Sequence, residues 1–421
     1  MLISFAAELA AIVGADHVRP ATPADAVDGV TPAWAVAPGS AEEVAALLAR
    51  ADAAGAVVVP RGSGTKLTWG NQPEAADLLL EMRRLDALLE HAWGDMTATV
   101  QAGCTVARLQ SALAEQGQRL ALDPLWPERA TVGGMLATND SGSLRARFGS
   151  LRDLVLGVTV ALPDGTLAKS GGKVVKNVAG YDLPKLMTGA LGTLGVITEA
   201  TFRLHPMPAD TLSFSIGAPG TAEATGLLRG IADSSLVPTG VQFRASGDMA
   251  PAVDVHIEGI AAALDGQIAM LCAIVRAAGC GEAVGAGPEV WRAREALWEG
   301  EGAALVCKLG VLPAEMGRLC VQVAEVAAAC GLGWRLVAQA VGVATLRLEG
   351  DGPALPAALS ALRAALAAAG GSVVVLDCPP EMKPGLDAWG AAGDALPLMR
   401  RVKAEFDPRR TLNPGRFVGG I

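Results

Sequence analysis

Aromatic residues are scarce in this chain: phenylalanine, tryptophan and tyrosine together make up 4% of 421 residues, and Tyr181 is the single tyrosine. Alanine is the most frequent of the residues that make up the 51% hydrophobic fraction, which favours many Ala-rich helices over an aromatic-lined pocket. Histidine is scarcer still, at His17, His91, His205 and His256, each isolated. Net positive charge is also missing. The formal charge is −9, the pI is near 5.1, and no block of five like charges occurs. Nucleic acid is thereby excluded as a partner, and an anionic ligand has to be held by local donors. The seven cysteines (104, 272, 280, 307, 320, 330, 378) include no C-x-x-C pair and have no histidine beside them. They read as small hydrophobes in a reduced core, without zinc or cluster ligation.

Long apolar runs are absent as well. Residues 353–370 carry Arg363 and show helical polarity, so no direct membrane insertion is expected. Residues 1–19 lack a basic leading region and a cleavage site, and Glu8 and Asp16 break their apolar run, so a helix of the folded protein is expected rather than a signal. The expectation is a cytoplasmic protein, peripheral to a membrane only through partners. With no G-x-x-x-x-G-K-[ST], nucleotide hydrolysis has no support.

What the sequence does hold is concentrated in small-residue tracts. Residues 57–66 read Val-Val-Val-Pro-Arg-Gly-Ser-Gly-Thr-Lys. The valines suit a buried strand, which Pro60 should end for want of an N–H. Gly62 and Gly64 can turn the chain through positive φ. Successive amides in such a turn make a concavity for anionic oxygens, to which Arg61, Ser63, Thr65 or Lys66 can add side-chain donors. An ordinary glycine-rich turn between strands fits this loop alone equally well. Ser40 with Glu43 forms a capping box, so residues 31–60 are expected to be a βαβ unit delivering the loop. Short strands are expected at 78–81 and 98–101, and a helix over 106–116.

Residues 123–149 are dense in Gly, Thr, Ser and Asn, a poor core but a good lining for an extended polar ligand. Pro124, Thr131, Gly133, Gly134, Thr138, Asn139, Ser141 and Gly142 are its candidate contacts. A strand at 154–162, a hairpin turn at 163–166 and the tract 173–186 follow. Gly189, Gly192 and Gly195 then precede a strand at 196–204, the wrong order for a dinucleotide fingerprint.

Five motifs occur in register: Pro60-Arg-Gly-Ser-Gly-Thr65, Thr131-Val-Gly-Gly134 with Asn139, Gly180-Tyr-Asp-Leu183, Gly192-Thr-Leu-Gly-Val-Ile-Thr198, and Leu412-Asn-Pro-Gly415. Together they resemble the vanillyl-alcohol-oxidase (p-cresol methylhydroxylase, PCMH) type of FAD-binding family, and within it the FAD-binding E subunits of bacterial glycolate oxidases, over residues 31–207 and 395–421. The resemblance implies an α+β fold: a PCMH-type FAD-binding domain of two α/β subdomains, plus an antiparallel-sheet cap with helices on one face. The implied segments are 1–30, an N-terminal helical piece; 31–207, the FAD domain; 208–380, the cap; and 381–421, a return to the FAD domain. It further implies that residues 60–66 wrap the FAD diphosphate. Thr131, Gly133, Gly134, Thr138, Asn139, Ser141 and Gly142 would run along the diphosphate, ribityl chain and flavin ring. Gly195, Val196 and Ile197 would meet the adenosine end. Asn413 reads equally as a flavin contact or a turn residue. Members with covalent flavin use a histidine, or a histidine and a cysteine; Ser63 stands in the loop and 123–149 hold neither, so FAD should be non-covalent.

The cap region reads as two β-α-β-β-α runs. In it Asp254, His256 and Glu258 alternate on one strand face, a metal-like array better explained as a solvated face. The Trp291-Arg-Ala-Arg-Glu-Ala-Leu-Trp298 segment reads as an amphipathic helix with exposed arginines rather than an anion mouth. No metal is expected, and catalytic residues are not identifiable. The histidine-rich cap motif of hydroxy-acid-oxidising relatives is missing. The resemblance therefore implies a FAD-bearing subunit that works with a sister FAD subunit and an iron–sulfur subunit of a glycolate dehydrogenase complex. A stand-alone FAD-dependent oxidase of a small 2-hydroxy acid and a non-catalytic flavin-binding scaffold are the alternatives.

Overall fold

The computed structural model of the chain describes residues 2–173 and 180–421, so the 173–186 tract is described in part, and residues 174–179 lie outside the described residues. The chain divides into two units, one of residues 1–141, 150–207 and 383–421, the other of residues 142–149 and 208–382.

The first unit holds two main sheets. One contains β1 (Val18–Pro20), β2 (Trp34–Val36), β3 (Val58–Arg61) and β4 (Leu78–Glu81) in the order β1-β2-β4-β3. β2 and β3 each run parallel to β4, which lies between them. The expected βαβ unit therefore exists with a third strand inserted between its two strands. Residues 18–20 pair with β2 and belong to this sheet rather than to a separate N-terminal piece. α1 (Leu2–Val13) buries Leu9 and Val13 among Val44, Leu47 and Leu48 of α2 (Ala41–Ala54). α2 starts where the Ser40 hydroxyl accepts the Glu43 N–H, but the expected box is half formed, since the Glu43 carboxylate accepts from the Gly39 N–H rather than from Ser40; the helix stops at Gly55, in the left-handed region at φ 68.

The other sheet is antiparallel: β5 (Leu88–Ala92), β6 (Thr97–Gln101), β8 (Val155–Ala161), β9 (Leu167–Gly171) and β10 (Val196–Arg203), ordered β5-β6-β10-β8-β9, with the short β7 (Gln118–Arg119) paired to β11 (His205–Pro206). Its core gathers Leu109 and Leu113 of α3 (Val106–Ala114), Leu136 of α4 (Val132–Thr138), Val160 and Phe202. Residues 123–149 are thus not an extended lining throughout. They contain α4 and α5 (Arg145–Phe148), and α6 (Leu151–Leu154) follows at once. Thr131 caps α4, and Met135 and Leu136 bury its apolar side, which outweighs the low helix propensity of two adjacent glycines. α7 (Leu183–Met187) precedes β10.

The second unit is one eight-stranded antiparallel sheet of β12 (Asp210–Gly217), β13 (Gly240–Ser246), β14 (Ala252–Gly259), β15 (Ala283–Gly285), β16 (Ala303–Gly310), β17 (Gly333–Gln339), β18 (Val343–Gly350) and β19 (Ser372–Asp377). The order β15-β12-β14-β13-β17-β18-β16-β19 reads as two β-α-β-β-α-β copies joined by the β13–β17 pairing. α8 (Thr221–Ala232), α9 (Ala261–Ala277), α10 (Met316–Cys330) and α11 (Leu355–Ala367) pack in the row α9-α8-α10-α11. The 291–298 segment is not an amphipathic helix; it forms two 3-10 turns, Pro288–Arg292 and Glu295–Trp298. The chain then returns to the first unit through α12 (Leu396–Phe406).

Candidate functional site

β3 lies at the edge of its sheet, and this fixes the rest of the site. On its open side the C-terminal segment docks: the Val58 N–H donates to the Thr411 carbonyl (2.7 Å) and the Asn413 N–H to the Val58 carbonyl (3.1 Å). Pro60 sits inside β3, opposite Leu80, and does not end it. An edge position tolerates the missing donor.

The loop that leaves β3 lines two adjoining clefts of ≈ 520 and ≈ 500 Å³. Pro60, Arg61, Gly62, Thr131 and Gly134 line both. Gly133, Gly195, Val196 and Ile197 line only the first, while Ser63, Gly64, Thr65, Lys66, Thr138 and Asn413 line only the second. The two glycines of the loop do different jobs. Gly64 adopts φ +76, whereas Gly62 has no positive φ and is needed for space. A Cβ on Gly62 would stand 2.1 Å from the Thr131 hydroxyl, and one on Gly133 would stand 2.8 Å from the Ala102 Cβ. Among the described residues, the main-chain N–H groups of Gly62, Ser63, Gly64 and Thr65 have no protein acceptor. Four neighbouring donors around a left-handed glycine make an anion-binding concavity.

Two expected side-chain donors are occupied elsewhere. Arg61 pairs with Asp25 (2.9 Å) and Glu81 (2.5 Å), and is held to the sheet. Asp25 also binds Arg19, and that hydrogen bond, helped by Thr22 and Arg61, holds its carboxyl well below the ordinary range despite its burial. Lys66 is 7% exposed, with its ammonium 3.3 Å from Asp140 and 3.2 Å from the Leu125 carbonyl. Both cations shape the loop and leave the binding to main-chain groups. Four other expected contacts, Pro124, Asn139, Ser141 and Gly142, line neither cleft. Asn139 instead ends α4 in the left-handed region at φ 49, and Gly142 falls in the second unit.

Asn413 is 2% exposed at φ 46. Its Nδ2 donates to the Leu191 carbonyl at 2.7 Å, while its Oδ1 has no partner among the described residues. Trp69, 5% exposed, lines the second cleft with an indole N–H that is also without a partner. Buried polar atoms of this kind are rare without a ligand or water to satisfy them. Behind them, Lys403 of α12 donates to the Thr193 carbonyl (2.7 Å), the Leu412 carbonyl (2.9 Å) and Asp407 (2.5 Å). Asp407 accepts the Thr411 and Leu412 N–H groups at 2.8 Å each. This buried pair thus joins α12 to the two segments that flank the clefts. Burial pushes the Lys403 ammonium below its ordinary pKa, and Asp407 opposes that fall.

Two family patterns fit these elements: "FAD binding domain" over residues 32–171 and "FAD linked oxidases, C-terminal domain" over residues 390–417. The chain carries an FAD-binding domain. The glycolate oxidase subunit GlcD of Bacillus subtilis is 36% identical over 173 residues, 41% of this chain and 37% of that protein. The D-lactate dehydrogenase of Archaeoglobus fulgidus is 35% identical over 208 residues, 49% of this chain and 46% of that protein. The D-2-hydroxyglutarate dehydrogenase of Xanthomonas citri pv. viticola is 39% identical over 171 residues, 41% and 36% respectively. The matched stretch thus spans less than half the length of each of these relatives. Solved structures of alkyldihydroxyacetonephosphate synthase (TM-score 0.78, 21% identity, 98% of this chain and 86% of that one) and of p-cresol methylhydroxylase with substrate bound (0.79, 16%, 99% and 96%) share the fold.

Within the FAD domain, sequence reading missed Trp69, Arg416 and Lys403, each a single residue with no motif of its own. A basic residue directly after Leu412-Asn-Pro-Gly415 was the one available signal for Arg416. The Asp254–His256–Glu258 face of the second unit is not solvated as expected. Asp254 is fully buried, bound by Arg244 (2.6 and 2.8 Å) and by the Gln242 amide (2.8 Å). His256 Nδ1 meets the Ser213 hydroxyl at 2.9 Å, its Nε2 lies 3.4 Å from Glu258, and the Trp291 indole donates to Ser213 at 3.0 Å. A polar network satisfies itself here, and no group of three metal-capable side chains occurs among the described residues. Among those residues no helix is long and apolar enough to cross a membrane.

Proposed function

We propose that the two clefts hold FAD non-covalently and that the chain is an FAD-dependent oxidoreductase of small 2-hydroxy acids. The observation that carries the reading is the row of four acceptor-less amides at Gly62, Ser63, Gly64 and Thr65. These are the donors a diphosphate needs, and Gly62 and Gly133 let the loop and α4 pack tightly on Thr131 and Ala102 beside them. Asn413 Oδ1 and the Trp69 indole would accept from and donate to the cofactor's polar edges, while Val196 and Ile197 supply an apolar wall. No histidine or cysteine lines either cleft, which supports a non-covalent cofactor. Bound FAD supplies two-electron chemistry, taking the electron pair released when a CH–OH carbon becomes a carbonyl. This chain's residues bind the cofactor, orient it and exclude water from it.

The narrower reading is glycolate oxidation to glyoxylate by a multi-subunit complex with a sister FAD subunit and an iron–sulfur subunit. It is supported by the likeness to a glycolate oxidase subunit and by the E-subunit motifs. The purified chain, reconstituted with FAD, should turn yellow; glycolate, D-lactate and D-2-hydroxyglutarate are then offered with an artificial electron acceptor. Activity on the chain alone favours a stand-alone dehydrogenase. A yellow, inactive chain that recovers activity with co-purified flavoprotein and iron–sulfur partners favours the complex. A colourless chain refutes the FAD reading.

A further inference from the structure

We propose that Arg416 is the buried positive charge of the cofactor cleft, positioned to neutralise the diphosphate of a dinucleotide. The inference rests on the FAD-site reading above and adds the charge that the loop amides lack. Arg416 is 4% exposed and lines the second cleft together with Gly62, Ser63, Gly64 and Thr65. Its guanidinium donates to the carbonyls of Leu67, Trp69 (2.8 Å) and Asn71 (3.4 Å), so it holds the far limb of the loop. It makes no ion pair among the described residues. The carboxylate that acts on it, Asp28, is already bound to Lys383 at 3.3 Å, with Lys383 4% exposed. Two buried cations thus face one carboxylate, and one positive charge remains. The other buried cation of the loop, Lys66, has its own carboxylate in Asp140.

A buried charge without a counter-ion is costly, and such groups are kept where a ligand completes the pair. Burial pushes the Arg416 guanidinium below its ordinary pKa, as expected for a cation short of a partner. The Trp69 indole N–H and the Asn413 amide oxygen, each in a residue more than nine-tenths buried that lines the same cleft, also have no partner among the described residues. A diphosphate supplies the negative oxygens for Arg416 and acceptors for the four amides at once.

The test compares FAD with riboflavin, which has no phosphate, by fluorescence titration of the full chain. Arg416→Gln removes the charge but keeps a donor for the loop carbonyls, and Arg416→Lys keeps the charge. The expected result is FAD binding weakened roughly 10- to 100-fold in R416Q. Riboflavin binding should stay within about two-fold, and R416K should recover much of the loss. FAD affinity of the wild type should also fall with added salt more steeply than that of R416Q. Equal losses for both flavins, or none for FAD, would overturn the role of Arg416 and leave the FAD reading standing. Should R416Q not fold, the wild type decides: a salt effect on FAD no greater than on riboflavin overturns it. A wild type that binds no FAD sinks the site itself.

Discussion

Gly62 and Asp25 show how single residues set this site. Gly62 faces the Thr131 hydroxyl with no room for a methyl group. Gly62→Ala should destabilise the apo chain by about 1–3 kcal/mol through overpacking and lower FAD affinity. Adding Thr131→Ala removes the clashing hydroxyl, so a denaturant titration should show part of the loss restored; no restoration would contradict the steric account. Asp25 links Arg19 and Arg61 beneath the loop, and its carboxyl pKa is depressed chiefly by Arg19. A depressed carboxyl binds protons more weakly folded than unfolded. Its stabilisation is therefore complete above about pH 4 and is lost as pH falls below that. Asp25→Asn should lower stability at neutral pH and flatten the acid limb of a thermal-melting profile; an unchanged limb would show that the Arg19–Asp25–Arg61 cluster is energetically idle. What the sequence could not reveal here is partnership. Arg61 and Lys66 looked like free donors because Asp25, Glu81 and Asp140 lie 36, 20 and 74 positions away, and only the fold brings them close.

At the scale of elements, the glycine loop, the Ser40 cap of α2 and the two αβ runs of the second unit were legible because each is a local pattern: apolar period, capping residue, turn glycine. The insertion of β4 between β2 and β3 was not, since strand order depends on pairings across 20 residues (Val58 with Leu78) and 44 residues (Trp34 with Leu78), which no local pattern records. α4 was hidden by its own glycines, which propensity counts against a helix. In α12 no local pattern records the burial of Lys403. That lysine and Asp407 tie three segments into one wall. Lys403→Met should cost about 3–5 kcal/mol by leaving Asp407 buried without its cation. Lys403→Met with Asp407→Asn should recover part of this. Urea denaturation checks both, and a double variant no better than the single would refute the charge argument.

For the whole molecule, most residues that line the clefts arrive from four stretches of chain far apart in sequence: 60–69, 131–138, 187–197 and 413–416. The five motifs made the cofactor class readable, while the substrate left no comparable trace, because hydroxy-acid chemistry needs a cation and a base whose positions no motif here supplies. Acid precipitation of the flavin-loaded protein should release all of its flavin to the supernatant; yellow colour retained on the denatured chain would mean a covalent bond and overturn the non-covalent reading. The most direct measurement is a crystal structure of the full chain grown with FAD. The account predicts diphosphate oxygens within hydrogen-bonding distance of the amides of residues 62–65. FAD bound elsewhere, or those amides facing only solvent in the loaded protein, would contradict it.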